Sequence, residues 1–242
     1  MTRRERWRDQ TIAEIKAIAH QQMTASGTAS ISLNAIARTM KMSGPALYRY
    51  FASRDDLVTA LIVDAFKDLA DAMQAVESTM ATQRSAQKIT ALCLAYREWA
   101  VVHPVDFQLI YGNPIPGYVA PAEVTVPLAR RPFDGLVRCF WEAYQSGELS
   151  IPPEYTSVPA SILTHLATWQ LETGHDLPDT LLCLLLSTWV RIHGMVMLEL
   201  FDHLGRVVGE SAAFYRYEIN ALLQRLGLTV QDTESTDTST TA

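Results

Sequence analysis

Apolar residues return at helical rather than alternating spacing along almost the whole chain. Ile12, Ile15, Ile18, Ala19 and Met23 mark one stripe over Trp7–Ala25, a helix that Gly27 is placed to stop. Ser32 is a good N-cap for a second, two-turn helix over Leu33–Met40, with Leu33, Ile36, Ala37 and Met40 on one face. Lys41 and Met42 make a turn, Ser43 caps a third helix, and Pro45 falls in its first turn, where a missing N–H costs nothing. Leu47 and Phe51, four apart, point back to the core.

Ser53, followed three residues later by Asp56, opens a long helix that runs to about Met80. Two neighbouring stripes, Leu57-Leu61-Ala65-Leu69-Met73 and Val58-Ile62-Phe66, suit it to connect a small domain with a larger one. Ala86–Tyr111 is helical again, with a break at Pro104. Gly112–Pro132 carries five prolines and two glycines and predicts an irregular loop. Helices follow over Phe133–Ser146, Ala160–Glu172, Thr180–Leu204 and Glu210–Leu226. The last stretch, Thr229–Ala242, is polar and too poor in apolar residues to fold, which predicts a disordered tail. The pattern therefore predicts an all-α protein: a three-helix domain over residues 1–54, a larger helical domain over 55–228, and a tail over 229–242.

Charge sharpens this division. The chain carries −6 overall, yet through Arg54 there are nine basic and three acidic residues, a net +6, which leaves −12 on the remainder. A basic head on an acidic body points to a polyanion partner. The cysteines Cys93, Cys139 and Cys183 are far apart among apolar residues, so neither a disulfide framework nor a metal site is suggested, and a reducing cytoplasm is implied. The most apolar run, Thr180–Val190, meets Arg191, His193 and Glu199 before it reaches the roughly 18 residues of a membrane span. Two short helices joined by a tight turn, in a basic segment, fit a helix-turn-helix whose second helix enters the major groove.

The string Ser43-Gly44-Pro45-Ala46-Leu47-Tyr48-Arg49-Tyr50-Phe51, with the junction Phe51-Ala52-Ser53-Arg54-Asp55-Asp56-Leu57, resembles the TetR family of bacterial transcriptional regulators over residues 10–60. The chain departs from that family at the turn, where Met40-Lys41-Met42 stands in place of a small residue, a glycine and a valine; Lys41 in a left-handed conformation would cost about 1 kcal/mol. Over residues 86–204, Tyr96-Arg97-Glu98-Trp99-Ala100 with His103-Pro104, then Tyr111-Gly112-Asn113-Pro114, and Trp189-x-x-x-His193-Gly194 are similar to regulators of this family whose ligand domain carries a WHG-type signature. The resemblance implies a homodimer built on the last two long helices.

Exposed candidates for DNA are Lys41, Ser43, Gly44, Pro45, Ala46, Tyr48 and Arg49 once Leu47 and Phe51 go to the core, with Tyr50 beside the backbone and Arg54 and its helix N-terminus toward a phosphate. Tyr48 and Tyr50 would otherwise pack on the surface, and Ser32 and Ser43 read better as caps than as base readers. Arg3, Arg4, Arg6 and Arg8 form an arm that either reaches DNA or is disordered. Trp99, His103, Phe107, Tyr111, Phe140, Trp141, Tyr144, His165, Trp169, His193 and Met197 are a pool for an apolar effector pocket, each with core packing as the competing role. Thr180–Leu204 is apolar on nearly all sides, so Leu185, Trp189 and Gly194, with Tyr215, Ile219, Leu222 and Leu223, are placed at a dimer interface.

Enzyme motifs are missing: no nucleophile elbow, phosphate loop or H-E-x-x-H occurs. The pair Glu199/His203 and the group Glu172/His175/Asp176 are ordinary helix-end polar residues, so no metal and no cofactor are implied. The sequence thus predicts a cytoplasmic dimeric regulator that represses from a palindromic double-stranded DNA operator and is released by a small hydrophobic effector. A helical ligand-binding or scaffolding dimer that no longer reads DNA is the alternative.

Overall fold

The computed structural model describes residues 2–173 and 177–228, except the side chains of 169 and 171–173. The expected tail at 229–242, the Glu172/His175/Asp176 group and the Trp169 side chain lie outside the described residues. Among the described residues the fold is all-α, and the chain divides into two compact units, residues 1–72 with 99–132 and residues 73–98 with 133–242.

In the first unit, α1 (Arg3–Ser26) starts four residues earlier than its apolar stripe predicts. The cause is a capping box: Glu5 N donates to Thr2 Oγ1 at 3.2 Å and Thr2 N donates to Glu5 Oε2 at 2.6 Å. The arginine arm, for which the sequence leaves disorder open, is therefore the helix's first two turns. A 3-10 turn over Thr28–Ser30 leads into α2 (Leu33–Thr39), which Ser32 caps through Ala35 N at 3.3 Å. α3 (Gly44–Tyr48) is a turn and a half, and α4 (Arg54–Thr79) starts with Asp56 N donating to Ser53 Oγ at 3.0 Å. Ile15, Ala19 and Met23 of α1, Ile36 and Ala37 of α2, Leu47 of α3 and Leu57, Val58, Ile62 and Phe66 of α4 form one buried core, each large side chain stabilising the head by about 1.5–3 kcal/mol.

Leu109 and Ile115 extend this core. Leu109 belongs to α6 (Pro104–Tyr111), which a break at His103 separates from α5 (Ser85–Val102), as Pro104 predicts. His20 Nε2 lies 3.1 Å from Asp106 Oδ2 and Lys16 Nζ lies 2.6 Å from Asp64 Oδ2, so α1 is tied to α6 and to α4. The proline-rich stretch is not all loop: α7 (Ala122–Arg130) forms within it. Pro121 takes the N-cap position, where a proline is harmless, and only Pro127 interrupts the helix interior.

The second unit holds α5 up to Glu98, α8 (Asp134–Gln145), α9 (Ala160–Thr173), α10 (Asp179–Leu200), α11 (Gly205–Val208) and α12 (Ser211–Arg225). Polar struts hold α5 to the last long helices. Tyr96 Oη lies 2.8 Å from His193 Nδ1, Tyr215 donates its hydroxyl to Cys93 O at 2.8 Å, and Arg97 makes a two-pronged bond to Glu199 with Nε–Oε2 at 2.7 Å. The Arg97 guanidinium also sits over the Tyr215 ring at 5.9 Å. By length and composition alone α10 could cross a membrane, so Arg191 and Glu199 do not cut its apolar character short as the sequence predicts. Core helices of globular proteins pass the same test, and eight α10 side chains are buried within this unit.

Candidate nucleic-acid interface

The helix-turn-helix is set by how α2 ends. Met42 N donates to Ala37 O at 2.9 Å and Lys41 N to Arg38 O at 3.1 Å, the paired bonds of a Schellman cap. Such a cap needs one left-handed residue, and Lys41 supplies it at φ 54°. The turn thus has the geometry a glycine would give, with a lysine in the position.

Ser43 then adopts an extended conformation ahead of α3, but its hydroxyl makes no capping bond. It occupies the cap position without the cap interaction, and its exposed hydroxyl is open to a ligand. Leu47, fully buried, points α3 inward, so Lys41, Ser43, Pro45, Tyr48 and Arg49 are left exposed, with Gly44 and Ala46 partly so. Tyr48 is 47% exposed, large for an aromatic, and stands as a free hydroxyl-bearing ring on this face. Gly44 has a negative φ, and a Cβ built on it meets nothing, so the protein itself does not require glycine there.

Two of the sequence candidates are placed differently. Tyr50 is partly buried against the core and carries the Arg8 guanidinium 5.4 Å over its ring, so it packs rather than projects. Arg54 donates from Nε to Ile31 O at 3.1 Å and from Nη2 to Ala29 O at 3.0 Å. Its fork closes the 3-10 turn ahead of α2 and braces the start of α4. Arg38 and Asn34, exposed at i+4 on α2, flank the same face and are absent from the sequence-derived set; the polar side of α2's amphipathic pattern is the signal that marks them.

The aromatic pool does not gather into one pocket. In the first unit Phe107 is fully buried and packs on Tyr111 at 5.1 Å, which meets Phe66 edge-on. Trp99 is also buried, stacks on His103 and donates Nε1 to Asp68 Oδ2 at 2.8 Å. In the second, Phe140 is fully buried, Trp141 stacks on Tyr144, and His193 stacks on Trp189, while His165 is exposed on α9 and Met197 is half-buried on α10. Phe107 and Phe140 fill core space, as aromatic residues at helical spacing commonly do. The first unit does contain a cleft of about 340 Å³ between α4, α6 and α7, lined by Ile62, Phe66, Ile110, Tyr118, Thr125 and Val126 among others. None of its lining residues belongs to the aromatic pool.

The interface set also divides. Leu185, Tyr215, Ile219, Leu222 and Leu223 are buried within the second unit of the single chain, where they pack its own core rather than standing open as the stripe predicts. Trp189 and Gly194 are half-buried on α10, whose open side presents Leu186, Val190, Leu198 and Phe201. A Cβ on Gly194 meets nothing within the chain.

A capped two-helix turn with an exposed basic and aromatic second helix defines a helix-turn-helix DNA-binding protein. The chain belongs to the TetR family: the model for bacterial regulatory proteins of the tetR family matches residues 15–61, and the tetracyclin repressor-like C-terminal domain matches residues 89–222. It is 31% identical over 198 residues to the HTH-type transcriptional regulator Rv1816 of Mycobacterium tuberculosis, covering 82% of this chain and 84% of that one. The solved structure of SCO4313 superposes with a TM-score of 0.75 at 34% identity, over 92% of this chain and 100% of the other. The TetR family transcriptional regulator PfmR from Thermus thermophilus, at 14% identity and TM-score 0.57 over 87% and 97% of the two chains, shares the fold. This protein is accordingly a TetR-family DNA-binding transcriptional regulator, in a family of regulators rather than enzymes.

Proposed function

We propose that the protein is a homodimeric repressor, acting in the cytoplasm, that grips a palindromic double-stranded DNA operator and lets go when a small hydrophobic effector binds. The observation that carries this reading is the exposed face of α3 above buried Leu47, where Lys41, Ser43, Gly44, Tyr48 and Arg49 stand together. Gly44 and Ser43 let the backbone approach the DNA, Tyr48 and Lys41 suit phosphates, and Arg49 suits a guanine edge or a phosphate. Two heads would engage half-sites about 34–36 Å apart.

The effector follows from the cleft in the first unit. Its lining has no Asp, Glu, Lys, Arg or His, so an uncharged, mostly apolar molecule fits it best. Ile62 and Phe66 line that cleft from α4, and the same helix packs Leu57 and Val58 into the core that seats Leu47. A molecule that fits one α4 position better than another would therefore move the recognition helix; one that fitted both equally would change nothing. The alternative of a head that does not read DNA gains no support from the unusual turn, because Lys41 adopts the left-handed conformation of a Schellman cap.

A gel-shift series with the DNA upstream of the protein's own gene tests the reading. A sequence-selective shift that weakens with salt is expected, and Tyr48→Ala should lower affinity about tenfold, the worth of one good phosphate bond, with the oligomeric state unchanged. Equal affinity of the variant would take Tyr48 out of the interface. A protein that shifts no DNA would end the repressor reading.

A further inference from the structure

The part of α1 that precedes the family's matched segment carries a charge pattern of its own. The tetR-family match begins at residue 15, whereas α1 begins at Arg3 and is fixed there by the Thr2–Glu5 capping box. At about 100° per residue, Arg3, Trp7, Arg4 and Arg8 fall within an arc of about 140°, and Arg6 lies about 60° further round. Glu5 and Asp9 take the other side. All four arginines are exposed, and Trp7, at 68% exposure, stands among them. Arg8 lies over the ring of Tyr50, two residues beyond the end of α3, which sets this basic side next to the recognition helix.

We infer that the first two turns of α1 form a rigid basic rail that lies along the phosphate backbone of duplex DNA beside the recognition helix, with Arg3, Arg4 and Arg6 available to phosphates and Arg8 positioning the rail through Tyr50. The inference rests on the DNA-binding reading above and adds a second contact element to it. The rail's length sets its capacity. Five steps from Arg3 to Arg8 rise roughly 7.5 Å, which spans about two phosphates of one strand at their 3.4 Å axial spacing. A preformed helix loses less freedom on binding than a disordered arm, so its arginines act without a folding cost. Trp7, between Arg3 and Arg4, is placed to lie on the sugar edge.

The test uses the full-length protein and a fluorescein-labelled 24-base-pair duplex of arbitrary sequence, because phosphate contacts are independent of the operator. Polarisation titrations from 50 to 200 mM KCl compare wild type with Arg3→Gln/Arg4→Gln/Arg6→Gln, which keeps good helix formers and leaves the Arg8–Tyr50 contact intact. Loss of two phosphate contacts makes the slope of log K against log salt shallower by about 1.8, so the fourfold rise in salt costs the variant about twelvefold less affinity than it costs wild type. Asp9→Asn, which changes charge on the opposite side, leaves the slope where it is. A wild type that binds with the triple variant matching its slope overturns the rail alone. A wild type with no salt-sensitive binding overturns the DNA reading and the rail together. Circular dichroism of the triple variant, expected to match wild type, separates a lost contact from a lost helix.

Discussion

Lys41 holds a left-handed backbone at φ 54° in the turn that orients α3, and it does so with a Cβ that this region disfavours by about 1–2 kcal/mol. Lys41→Gly removes that penalty and returns part of it as extra freedom of the unfolded chain, for a net stabilisation of about 0.5–1 kcal/mol. In a protein of this size that corresponds to a rise of roughly 1–4 °C in the melting temperature without DNA. The same change deletes an exposed ammonium next to the recognition helix, so affinity for duplex DNA should fall while stability rises. The opposite signs make the experiment decisive: a variant that melts lower than wild type would show that the lysine carries structural contacts outweighing its strain. The sequence left the conformation of this turn open, because a lysine stands where a glycine would have marked the left-handed residue; the backbone at φ 54° settles it. The role of Arg54 was equally open. A guanidinium at a helix start looks the same in a sequence whether it faces a phosphate or the carbonyls of Ala29 and Ile31.

At the scale of elements, the packing of α5 against α10 turns on a neutral histidine. Burial lowers the pKa of His193 from its ordinary value, and its Nδ1 meets the Tyr96 hydroxyl at 2.8 Å. The unfolded chain takes up this proton near pH 6.5, while the folded chain resists it, so the unfolded state binds more protons in the interval between the two pKa values. His193 therefore contributes stability that is full above about pH 6.5 and is lost as the pH falls through the lower folded value. Thermal melts at pH 7.5 and 5.5 should show a larger drop for wild type than for His193→Gln, even though the variant starts lower; parallel drops would assign acid sensitivity to other groups. Helical periodicity located α1, α2, α4, α5, α8, α10 and α12 well because each has a continuous apolar stripe. It missed α7, where proline count outweighed the fact that Pro121 takes an N-cap position. It also could not say what a stripe packs on: Tyr215, Ile219 and Leu223 look suited to a partner but are consumed by the chain's own core.

For the whole molecule the open side of α10 is a face that no other element covers among the described residues. Leu186, Val190, Leu198 and Phe201 recur at helical spacing on it, Val190 with 62% exposure, and Gly194 lies in their midst with open space at its Cβ position. Exposed apolar side chains in such a row mark an association surface, and a face that repeats along one helix is suited to a two-fold contact in which α10 meets its own copy. The glycine costs α10 about 1 kcal/mol of helix propensity, a cost that close approach of a second helix would offset. Gly194→Glu therefore separates two cases cleanly. Within one chain the new Cβ meets nothing within 4 Å and the substitution favours the helix, so the 27.0 kDa protomer should keep its helicity and its melting behaviour at low concentration. Across a dimer it buries a charge against an apolar surface, so sedimentation velocity should report a dimer for wild type and monomers for the variant. Operator affinity should fall with it, because two linked heads gain from effective concentration while single heads bind one half-site each. A Gly194→Glu protein that remains dimeric would move the interface away from this face of α10, and the row of exposed apolar residues would then need a different partner.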